Sequence, residues 1–529
     1  MRVGAFAAAA LLLPRLGARA APAQTPDSTP RAPGGLPTPA EAAAYLRYTR
    51  PDSVASFLGR LSSGPARLSV ERIGRTAPFE LDGRVEAQDI LVAGFDRADT
   101  TAGPTRPRVL ILASQHGDEP SGTEAALRLL RDLALGDLSS LREAMDVRVV
   151  PLVNPAGSAW NVRRNEQGID PNRDHLRLRS PEVEAIHRLF ARWRPHVVLD
   201  LHELGPSVYD AQIGLPTHPD ADPVLLELGR FYLLPYVANE LARRNLTFHE
   251  YVTAEPVPPE LEETAEATGG ADTLGYYTLA PITANNARNA FALEPAVTYL
   301  VEVTSSRGIE DLARRTEIQY TVARAFLEVI AAWADEVVRR VGAARAADLA
   351  PPREGPAPLT TLRAERVPDP DRPNLTWRVR SELGPVTVRT TDRWRPLVRP
   401  TLQITRPAAW LLDPEEIELA TLLLRQGFEL QKLTAPAVLL AGEYPVRPDS
   451  LRGDAGALLR WRRREFRAGS WLVLSSQPGA ARLAVLIEPY SADGWYAAGY
   501  PSGAGDVYPV RRVQGLLAGV RVPPPEAPE

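Results

Sequence analysis

Apolar residues along the first two thirds of the chain follow two different spacings. Segments 108–114 and 147–153 are almost continuously apolar, which is typical of strands buried on both faces of a sheet. In segment 121–135 the apolar residues recur every three or four positions, which predicts a helix with one buried face. Ser121 and Glu124, three residues apart, fit a capping box at the start of that helix.

The same alternation continues to about residue 345. It predicts strands at 196–201 and 298–303, a helix over 181–193, and one long helix or a bent pair over 309–341. Pro181 suits the first position of its helix, because the N–H that proline lacks would be unsatisfied there anyway. Strands that alternate with helices predict an α/β fold with a mixed, largely parallel sheet.

The pattern changes at about residue 373 to short strands, which we place at 376–383, 400–407, 470–476 and 482–489. One helix is predicted over 414–426, where Gly427 ends it. Residues 346–372 are rich in Pro, Ala and Arg, which predicts a linker. We therefore expect a first domain at 41–345, a linker at 346–372, a smaller β-rich α+β domain at 373–521 and a frayed tail at 522–529.

The N-terminal residues predict a targeting signal. Arg2 precedes an apolar run over residues 3–13, and small residues in an A-x-A arrangement follow up to residue 23. The run is too short to span a bilayer, so we expect a cleaved signal peptide at 1–23, a flexible leader at 24–40 and a secreted or periplasmic protein. No later apolar run is long enough for a membrane helix, and we expect no stable membrane insertion.

The composition narrows the chemistry. The 529 residues include 61 basic and 65 acidic ones, so the net charge is −4 and no strong positive field favours nucleic acid. The chain has no Cys, which excludes disulfides, thiol nucleophiles and Cys-ligated zinc. Any metal therefore has to be bound by carboxylates and by some of the 7 His residues.

Two His residues follow predicted core strands. His116 and Glu119 stand three residues apart in the turn after segment 108–114, and His202 lies at the end of segment 196–201. Sites in open α/β sheets form where the strands end at their carboxyl edge, so we expect these side chains to lie close together. Two His and one Glu make a zinc site with an open fourth position for water.

Two further segments carry polar groups in unusual places. The long loop after 147–153 is dense in guanidinium and amide groups, which suit a carboxylate or a developing oxyanion. Glu302 interrupts the apolar segment 298–303, where a charge is costly unless it faces a cleft or a partner. Next to a metal site Glu302 would act as a general base, whereas a Glu that points out from an edge strand is the alternative.

These motifs, in this order, resemble the zinc metallocarboxypeptidases of family M14. The family pattern is His-x-x-Glu, Asn-Pro-Asp-Gly, an Arg, Asp-x-Asn-Arg, a later His and a Glu in a late strand. Over roughly residues 40–345 the matching residues are His116, Glu119, Asn154, Gly157, Arg163 or Arg164, Asp170, Asn172, Arg173, His202 and Glu302. The resemblance implies the carboxypeptidase-like fold, a mixed, largely parallel sheet with helices on both faces. The C-terminal pattern is similar to the domain that follows the peptidase in the bacterial secreted branch.

The resemblance also implies the catalytic groups. One Zn²⁺ per chain would be held by His116, Glu119 and His202. Glu302 would activate water and return the proton to the leaving amine, while Arg163 would polarise the scissile carbonyl. The choice of Arg163 over Arg164 depends only on the spacing before Gly168.

Substrate binding is implied for a second group of residues. Asn172 and Arg173 would hold the terminal carboxylate of the substrate, with Arg164 nearby, and Asp170 would accept the ring N–H of His116. Tyr277 is our candidate for the side chain that caps the substrate, with Tyr276 and Tyr299 as alternatives. Two residues depart from the family pattern: Ala156 replaces an Asp, and Asp174 places an acid beside the carboxylate clamp. We expect the remaining His residues to be structural or at the surface, namely His175, His187, His196, His218 and His249.

The function implied is that of a secreted zinc metallocarboxypeptidase, which hydrolyses C-terminal residues from peptides with a free C-terminal carboxylate. Two alternatives stay open at this point. One is a zinc amidase or deacylase that acts on peptidoglycan peptides or N-acylated amino acids with the same site. The other is a non-catalytic binding protein with a decayed site.

Overall fold

The computed structural model describes residues 35–66, 68–96, 106–255, 275–349, 358–380, 385–445, 459–497 and 507–514. The signal peptide predicted at 1–23, most of the leader at 24–40 and the tail at 522–529 lie outside the described residues. Within the described ranges, no helix combines the length and the apolar character that a membrane crossing requires.

The first part of the chain is built on one eight-stranded mixed sheet. Its four central strands run parallel to one another, and antiparallel neighbours flank them on both sides. The predicted mixed, largely parallel sheet is therefore confirmed. In spatial order the strands are Ser69–Arg75, Asp89–Phe95, Asp146–Val150, Arg108–Ala113, Val197–Leu204, Val297–Thr304, Ala211–Gly214 and Phe248–Glu250.

Alternate residues of the central strands feed two apolar clusters, because successive side chains of a strand point to opposite faces. Ile111 belongs to one cluster and its neighbour Leu112 to the other. The first cluster includes side chains of the helices Ser121–Leu135 and Leu312–Ala332, and the second includes those of the helix Pro181–Trp193. Helices therefore cover both faces of the sheet.

The helices agree closely with the sequence pattern in this part of the chain. The long helical segment is a pair of helices that meet at Trp333. The α-helices of the described first part are Pro39–Ala42, Pro51–Ser62, Ser121–Leu135, Leu141–Ala144, Pro155–Trp160, Pro181–Trp193, Pro223–Glu227, Leu234–Arg243, Ala287–Ala292, Leu312–Ala332 and Ala334–Leu349. Single turns of other helix types lie at Pro171–Arg173, Leu228–Leu233 and Ile309–Asp311.

The predicted capping box at Ser121 is wrong. Pro120 occupies the N-cap position of that helix, and no side chain caps it. The carboxylate of Glu124 instead accepts hydrogen bonds from the backbone N–H and the hydroxyl of Thr49, at 2.9 and 2.6 Å. A long-range partner has replaced the local one, which residue spacing alone does not reveal.

The C-terminal part is rich in antiparallel strands, as predicted. Two-stranded sheets form from Leu359–Val367 with Leu397–Thr405 and from Leu375–Arg380 with Val386–Thr391. A six-stranded sheet contains, in spatial order, Gln431–Lys432, Trp471–Leu474, Ala409–Leu412, Val507–Val513, Ala437–Pro445 and Arg460–Phe466. Small hairpins in the first part pair Phe79–Leu81 with Arg84–Glu86 and Thr253–Glu255 with Tyr276–Thr278.

Two predictions for this part differ from the structure. The strand predicted at 482–489 is a helix, Ala480–Ile487, because an apolar run buried all round fits a helix as well as a strand. The segment predicted as a linker, 346–372, contains the strand Leu359–Val367. Pro-rich sequences flank that strand on both sides, and they dominate the composition of the segment. A second helix described in this part is Ile417–Arg425, inside the predicted 414–426.

One apolar cluster is shared between the two parts of the chain. Leu176, Leu178 and Leu293 of the first part pack with Trp410 and Leu483 of the C-terminal part, and all five side chains are at most 3% exposed. Because this cluster contains residues from both parts, we expect the two parts to fold as one unit. The boundary between the predicted domains then marks a change of architecture and does not separate two independent folding units.

We expect a chain that ends at Leu349 to misfold. Exposing each of the three shared Leu side chains costs about 1.5–3 kcal/mol, and the sum is comparable to the ~5–15 kcal/mol that stabilises a whole domain. The measurement is the yield of soluble protein, with a thermal unfolding curve followed by circular dichroism. A chain that ends at Gln514 is the control and should stay soluble. A soluble 349-residue chain with a cooperative transition would show that the shared cluster is dispensable.

Candidate active site

A cavity of about 300 Å³ opens at the carboxyl ends of the central strands. His116, Glu119 and His202 were predicted to meet at this edge of the sheet, because the carboxyl ends of parallel strands lie together. Predicted site residues that line the cavity are His116, Glu119, Arg163, Asn172, Arg173, His202 and Glu302.

Three side chains converge on one point of this cavity. The Nδ1 atoms of His116 and His202 are 3.1 Å apart, and the Glu119 carboxylate lies 2.9 Å from the first and 2.8 Å from the second. All three side chains are buried. Two imidazole nitrogens and one carboxylate are the donor set that suits Zn²⁺ and leaves a position for water. Among the described residues, this is the cluster of His and acidic side chains that could hold a metal ion.

The charges of the cluster depend on one another. Burial alone would raise the pKa of Glu119, but the two imidazoles outweigh burial and lower that pKa below its usual range. Burial would lower the pKa of His202, whereas the carboxylates of Asp200 and Glu119 outweigh burial and raise it well above its usual value. The carboxylates of Glu119 and Asp200 therefore place negative charge beside the buried imidazoles. Such an environment also favours a bound cation.

The turn that carries His116 is held by backbone contacts. Ser114 adopts a left-handed conformation with φ of 53°, and its hydroxyl donates to the carbonyl of Glu119 at 3.0 Å. Gly117 packs against the backbone of Gly157 so closely that a Cβ would lie 1.9 Å from the carbonyl carbon of Gly157. Only a glycine at position 117 permits this approach, which joins the two loops of the site.

Asn154 links those loops a second time. Its side-chain oxygen accepts a hydrogen bond from the N–H of Gly157 at 2.8 Å, and its Nδ2 donates to the carbonyls of Gln115 and Arg163 at 3.2 and 3.3 Å. The Asn-Pro-Ala-Gly segment thus positions the loop that carries Arg163. The Ala156 side chain is buried within this segment.

Arg163 and Asp170 lie beside the cluster. The Arg163 guanidinium donates to Asp170 Oδ2 at 2.9 Å and its Nη1 lies 3.6 Å from Glu119 Oε1. Asp170 Oδ1 is 3.2 Å from Nε2 of His116, the ring nitrogen opposite the cluster. These contacts place Asp170 where an acceptor of the His116 ring N–H was expected.

Glu302 lies directly next to His202 in the sheet. The strands Val197–Leu204 and Val297–Thr304 pair in parallel, with Glu302 in register with His202. The two side chains therefore project from the same face. Burial raises the pKa of Glu302 to about 7, and it outweighs the attraction of the two imidazoles, which the repulsion of Glu119 and Asp200 largely cancels. A carboxylate with a pKa near neutrality is suited to exchange protons at physiological pH.

The structure does not bring every predicted residue into the cavity. Arg164 is exposed, and its Nη1 donates to the carbonyl of Gly168. Asp174 is fully buried and accepts a hydrogen bond from the N–H of Ser180 at 2.7 Å, so it does not lie beside the clamp as an acid. The structure therefore places these two side chains outside the cavity, because the loop bends at Arg163 and Arg164 and turns again after Arg173.

The predicted capping residue is also misplaced. Tyr277 packs against Trp377 with the rings tilted and their centroids 4.9 Å apart, and it lines a separate cavity. Tyr299 is buried and donates to the carbonyl of Gly229 at 3.0 Å. The tyrosine that lines the active-site cavity is Tyr251, whose pKa is raised by burial and by the Glu302 carboxylate. No local motif marks Tyr251, and its position depends on pairing between strands distant in sequence.

The sequence profile described as zinc carboxypeptidase, peptidase family M14, matches residues 55–209. The chain resembles the zinc carboxypeptidases in this range and, at lower identity, over most of its length. It is thus a peptidase, and the family implies zinc as its cofactor.

The proteins that this chain resembles in sequence or in structure are also named carboxypeptidases. Carboxypeptidase 2 of Trichophyton rubrum is 26% identical over 500 residues, which cover 88% of this chain and 87% of that protein. Carboxypeptidase E of Caenorhabditis elegans is 25% identical over 215 residues, covering 36% of this chain and 41% of that protein. Carboxypeptidase A from Helicoverpa armigera aligns in structure with a TM-score of 0.41 and 16% identity, over 56% of this chain and 79% of that chain. The metallo-carboxypeptidase from Burkholderia cenocepacia gives 0.39 and 17%, over 53% and 69%.

A buried chain of hydrogen bonds runs from the active site of this carboxypeptidase to its C-terminal part. Nε2 of His202 lies 2.9 Å from Asp200 Oδ2. Asp200 Oδ1 accepts from Nε2 of Gln115 at 2.7 Å, and Gln115 Oε1 accepts from Nε2 of His175 at 2.9 Å. Nδ1 of His175 is 3.1 Å from Nε2 of His187, whose Nδ1 is 3.4 Å from the Arg482 guanidinium.

The two ends fix the direction of every bond in this chain. The Asp200 carboxylate can only accept, and the Arg482 guanidinium can only donate. Burial lowers the pKa of His175 to about 3 and that of His187 well below its usual value, so both imidazoles are neutral. Each must therefore carry its proton on Nε2. The Asp200 acceptor likewise holds a proton on Nε2 of His202, so that Nδ1 is the ring atom that faces the cluster.

We expect Gln115→Leu to weaken both stability and zinc binding. The substitution removes one partner of Asp200 and one of His175, and each buried polar atom left unpaired costs about 1–3 kcal/mol. Loss of such a supporting contact typically weakens metal affinity ~10–100-fold. Urea unfolding and zinc titration against a competing chelator measure the two effects. Gln167→Leu, at an exposed position, is the matched control. Zinc affinity unchanged in Gln115→Leu would argue against a role for the chain in orienting His202.

Proposed function

We propose that this protein is a zinc-dependent metallocarboxypeptidase that removes C-terminal residues from peptides, with one zinc ion held by His116, Glu119 and His202. The observation that carries the proposal is the convergence of these three ligand atoms beside Glu302, in one cavity at the strand ends. Zinc at such a position supplies Lewis-acid chemistry toward a carbonyl oxygen and a water.

Glu302 is the general base in this proposal. Its carboxylate lines the cavity next to His202, and its pKa of about 7 permits it both to take a proton from water and to return it to the leaving amine. Arg163 stabilises the charge that develops on the scissile carbonyl oxygen, since its guanidinium lies at the edge of the ligand cluster.

We expect Glu302→Gln to keep its zinc and lose ~10²–10⁴-fold in kcat, because an amide cannot accept the proton. Activity on a free-acid peptide and zinc content by atomic absorption are measured on the same preparation. His202→Ala serves as the comparison and should lose zinc and activity together. A Glu302→Gln enzyme with wild-type turnover would remove Glu302 from the catalytic machinery.

Arg173 and Asn172 form the site for the terminal carboxylate in this proposal. Both line the cavity, and a guanidinium matches the geometry of a carboxylate. Asn172 is fixed in place because its oxygen accepts from the N–H of Ala287 at 2.9 Å while its Nδ2 lies 3.2 Å from Asp200 Oδ2. Recognition of the free carboxylate makes the enzyme an exopeptidase.

We expect C-terminal amidation of a peptide to lower kcat/KM on the order of a hundredfold or more, since charge-assisted hydrogen bonds are worth ~1.5–3 kcal/mol each. Arg173→Ala should slow cleavage of the free acid and cause little further loss on the amide. Arg164→Ala changes an exposed guanidinium of the same loop and is the control. Equal cleavage of amide and free acid would instead favour the amidase or endopeptidase alternative.

We also propose that the enzyme is secreted. The support is the sequence of residues 1–23, with Arg2, a short apolar run and small residues at the cleavage site. Membership of the bacterial secreted branch stays a prediction, since the relatives that match over most of the chain are fungal.

A further inference from the structure

Arg288 is a buried cation of the active-site cavity that forms no ion pair with the described residues. Arg288, in the helix Ala287–Ala292, lines the cavity and is 3% exposed. Its Nη2 lies 3.3 Å from the Thr217 hydroxyl and 3.4 Å from the carbonyl of Pro281. Within the described part of the chain, its Nε and Nη1 have no hydrogen-bond partner. Such a buried, incompletely paired cation is costly for the folded protein.

The sheet leaves room for this guanidinium. Gly214 and Leu300 are paired residues of adjacent strands, and a Cβ on Gly214 would lie 2.8 Å from Nη1 of Arg288. Any side chain at position 214 would push the guanidinium away. Leu300 and Glu302 are two residues apart and project from the same face of their strand, a separation of about 6–7 Å. Arg288 therefore lies roughly one side-chain length from the proposed general base.

The other cations of the cavity already have partners or roles. Arg163 pairs with Asp170, and Arg307 pairs with Asp118. Arg173 is the proposed partner of the terminal carboxylate. Burial lowers the pKa of Arg288 to about 10, so its guanidinium is still charged at neutral pH. The cavity thus contains one more buried positive charge than the hydrolysis of a neutral C-terminal residue needs.

We propose that Arg288 binds the side-chain carboxylate of the substrate's last residue, so that the enzyme prefers peptides that end in Glu or Asp. This inference rests on the proposed carboxypeptidase function and specifies its substrate class. A carboxylate would supply a counter-charge for this guanidinium and an acceptor for one of its unpaired N–H groups. An apolar terminal side chain would supply neither, and Lys or Arg would be repelled.

The test uses the full-length zinc enzyme and a peptide series that differs only in the last residue, namely Glu, Gln, Leu or Lys. Gln has the shape of Glu without the charge. We expect kcat/KM for the Glu peptide to exceed that for the Gln peptide about ten- to a hundredfold, and the Leu and Lys peptides to be slower still. Free Glu, as a product, should inhibit the wild-type enzyme at least about tenfold more strongly than free Gln.

Variants assign the preference to this residue. Arg288→Met should bring the Glu-to-Gln ratio of kcat/KM close to one, and Arg288→Lys should retain part of it. Arg345→Met is the matched control, because Arg345 donates to backbone carbonyls away from the cavity and its loss should not change the ratio. If Arg288→Met does not fold, the product-inhibition comparison on the wild type decides.

The outcomes separate the two proposals. Equal cleavage of the Leu and Glu peptides would overturn the role of Arg288 and leave the carboxypeptidase function standing. A Glu preference that persists in Arg288→Met would assign the recognition to another cation. Failure to cut any free-acid peptide of the series would instead count against the proposed function itself.

Discussion

Burial of charged side chains at the ends of two adjacent core strands is the constraint on which this active site depends. Asp200, His202 and Glu302 are each at most 8% exposed, in strands that are mostly apolar. A single charge there would be strongly unfavourable. The three are tolerated because parallel pairing sets Glu302 beside His202, and because Asp200 and Glu119 flank the same imidazole. Removing one member leaves the others as uncompensated buried charges.

The same constraint extends through the interior to the C-terminal part. Each oxygen of Asp200 needs a hydrogen-bond donor, and Gln115 supplies one of them. The side-chain oxygen of Gln115 needs a donor in turn, which is His175, and His175 accepts from His187. The series ends at Arg482, which donates to His187 and also forms an ion pair with Glu294 at 2.9 Å. The C-terminal part therefore contributes a buried charge to the order of the active site as well as apolar contacts to the core. This gives a physical reason why the two parts share one apolar cluster.

The helices, the strands and the proposed metal ligands were easier to predict from the sequence than the other residues that line the cavity. Core strands and the residues at their carboxyl ends depend on local hydrophobicity and sheet topology, so His116, Glu119 and His202 were found together. Tyr251 and Arg288 lie in a region without a local motif, and the pairing of Ala211–Gly214 with Val297–Thr304 brings them to the cavity. The helix Ala480–Ile487 was predicted as a strand because its residues are buried on all sides.

The distribution of charge within the molecule matters more for its chemistry than the net charge. The whole chain carries −4, yet four guanidinium groups line one cavity, those of Arg163, Arg173, Arg288 and Arg307. The acids that line the same cavity are occupied, Glu119 by the imidazoles and Glu203 by Arg315 at 3.2 Å. Low-dielectric walls strengthen the field of the remaining cations. The cavity is therefore built to attract anionic groups, whereas burial keeps the Glu302 carboxylate able to bind a proton near neutral pH.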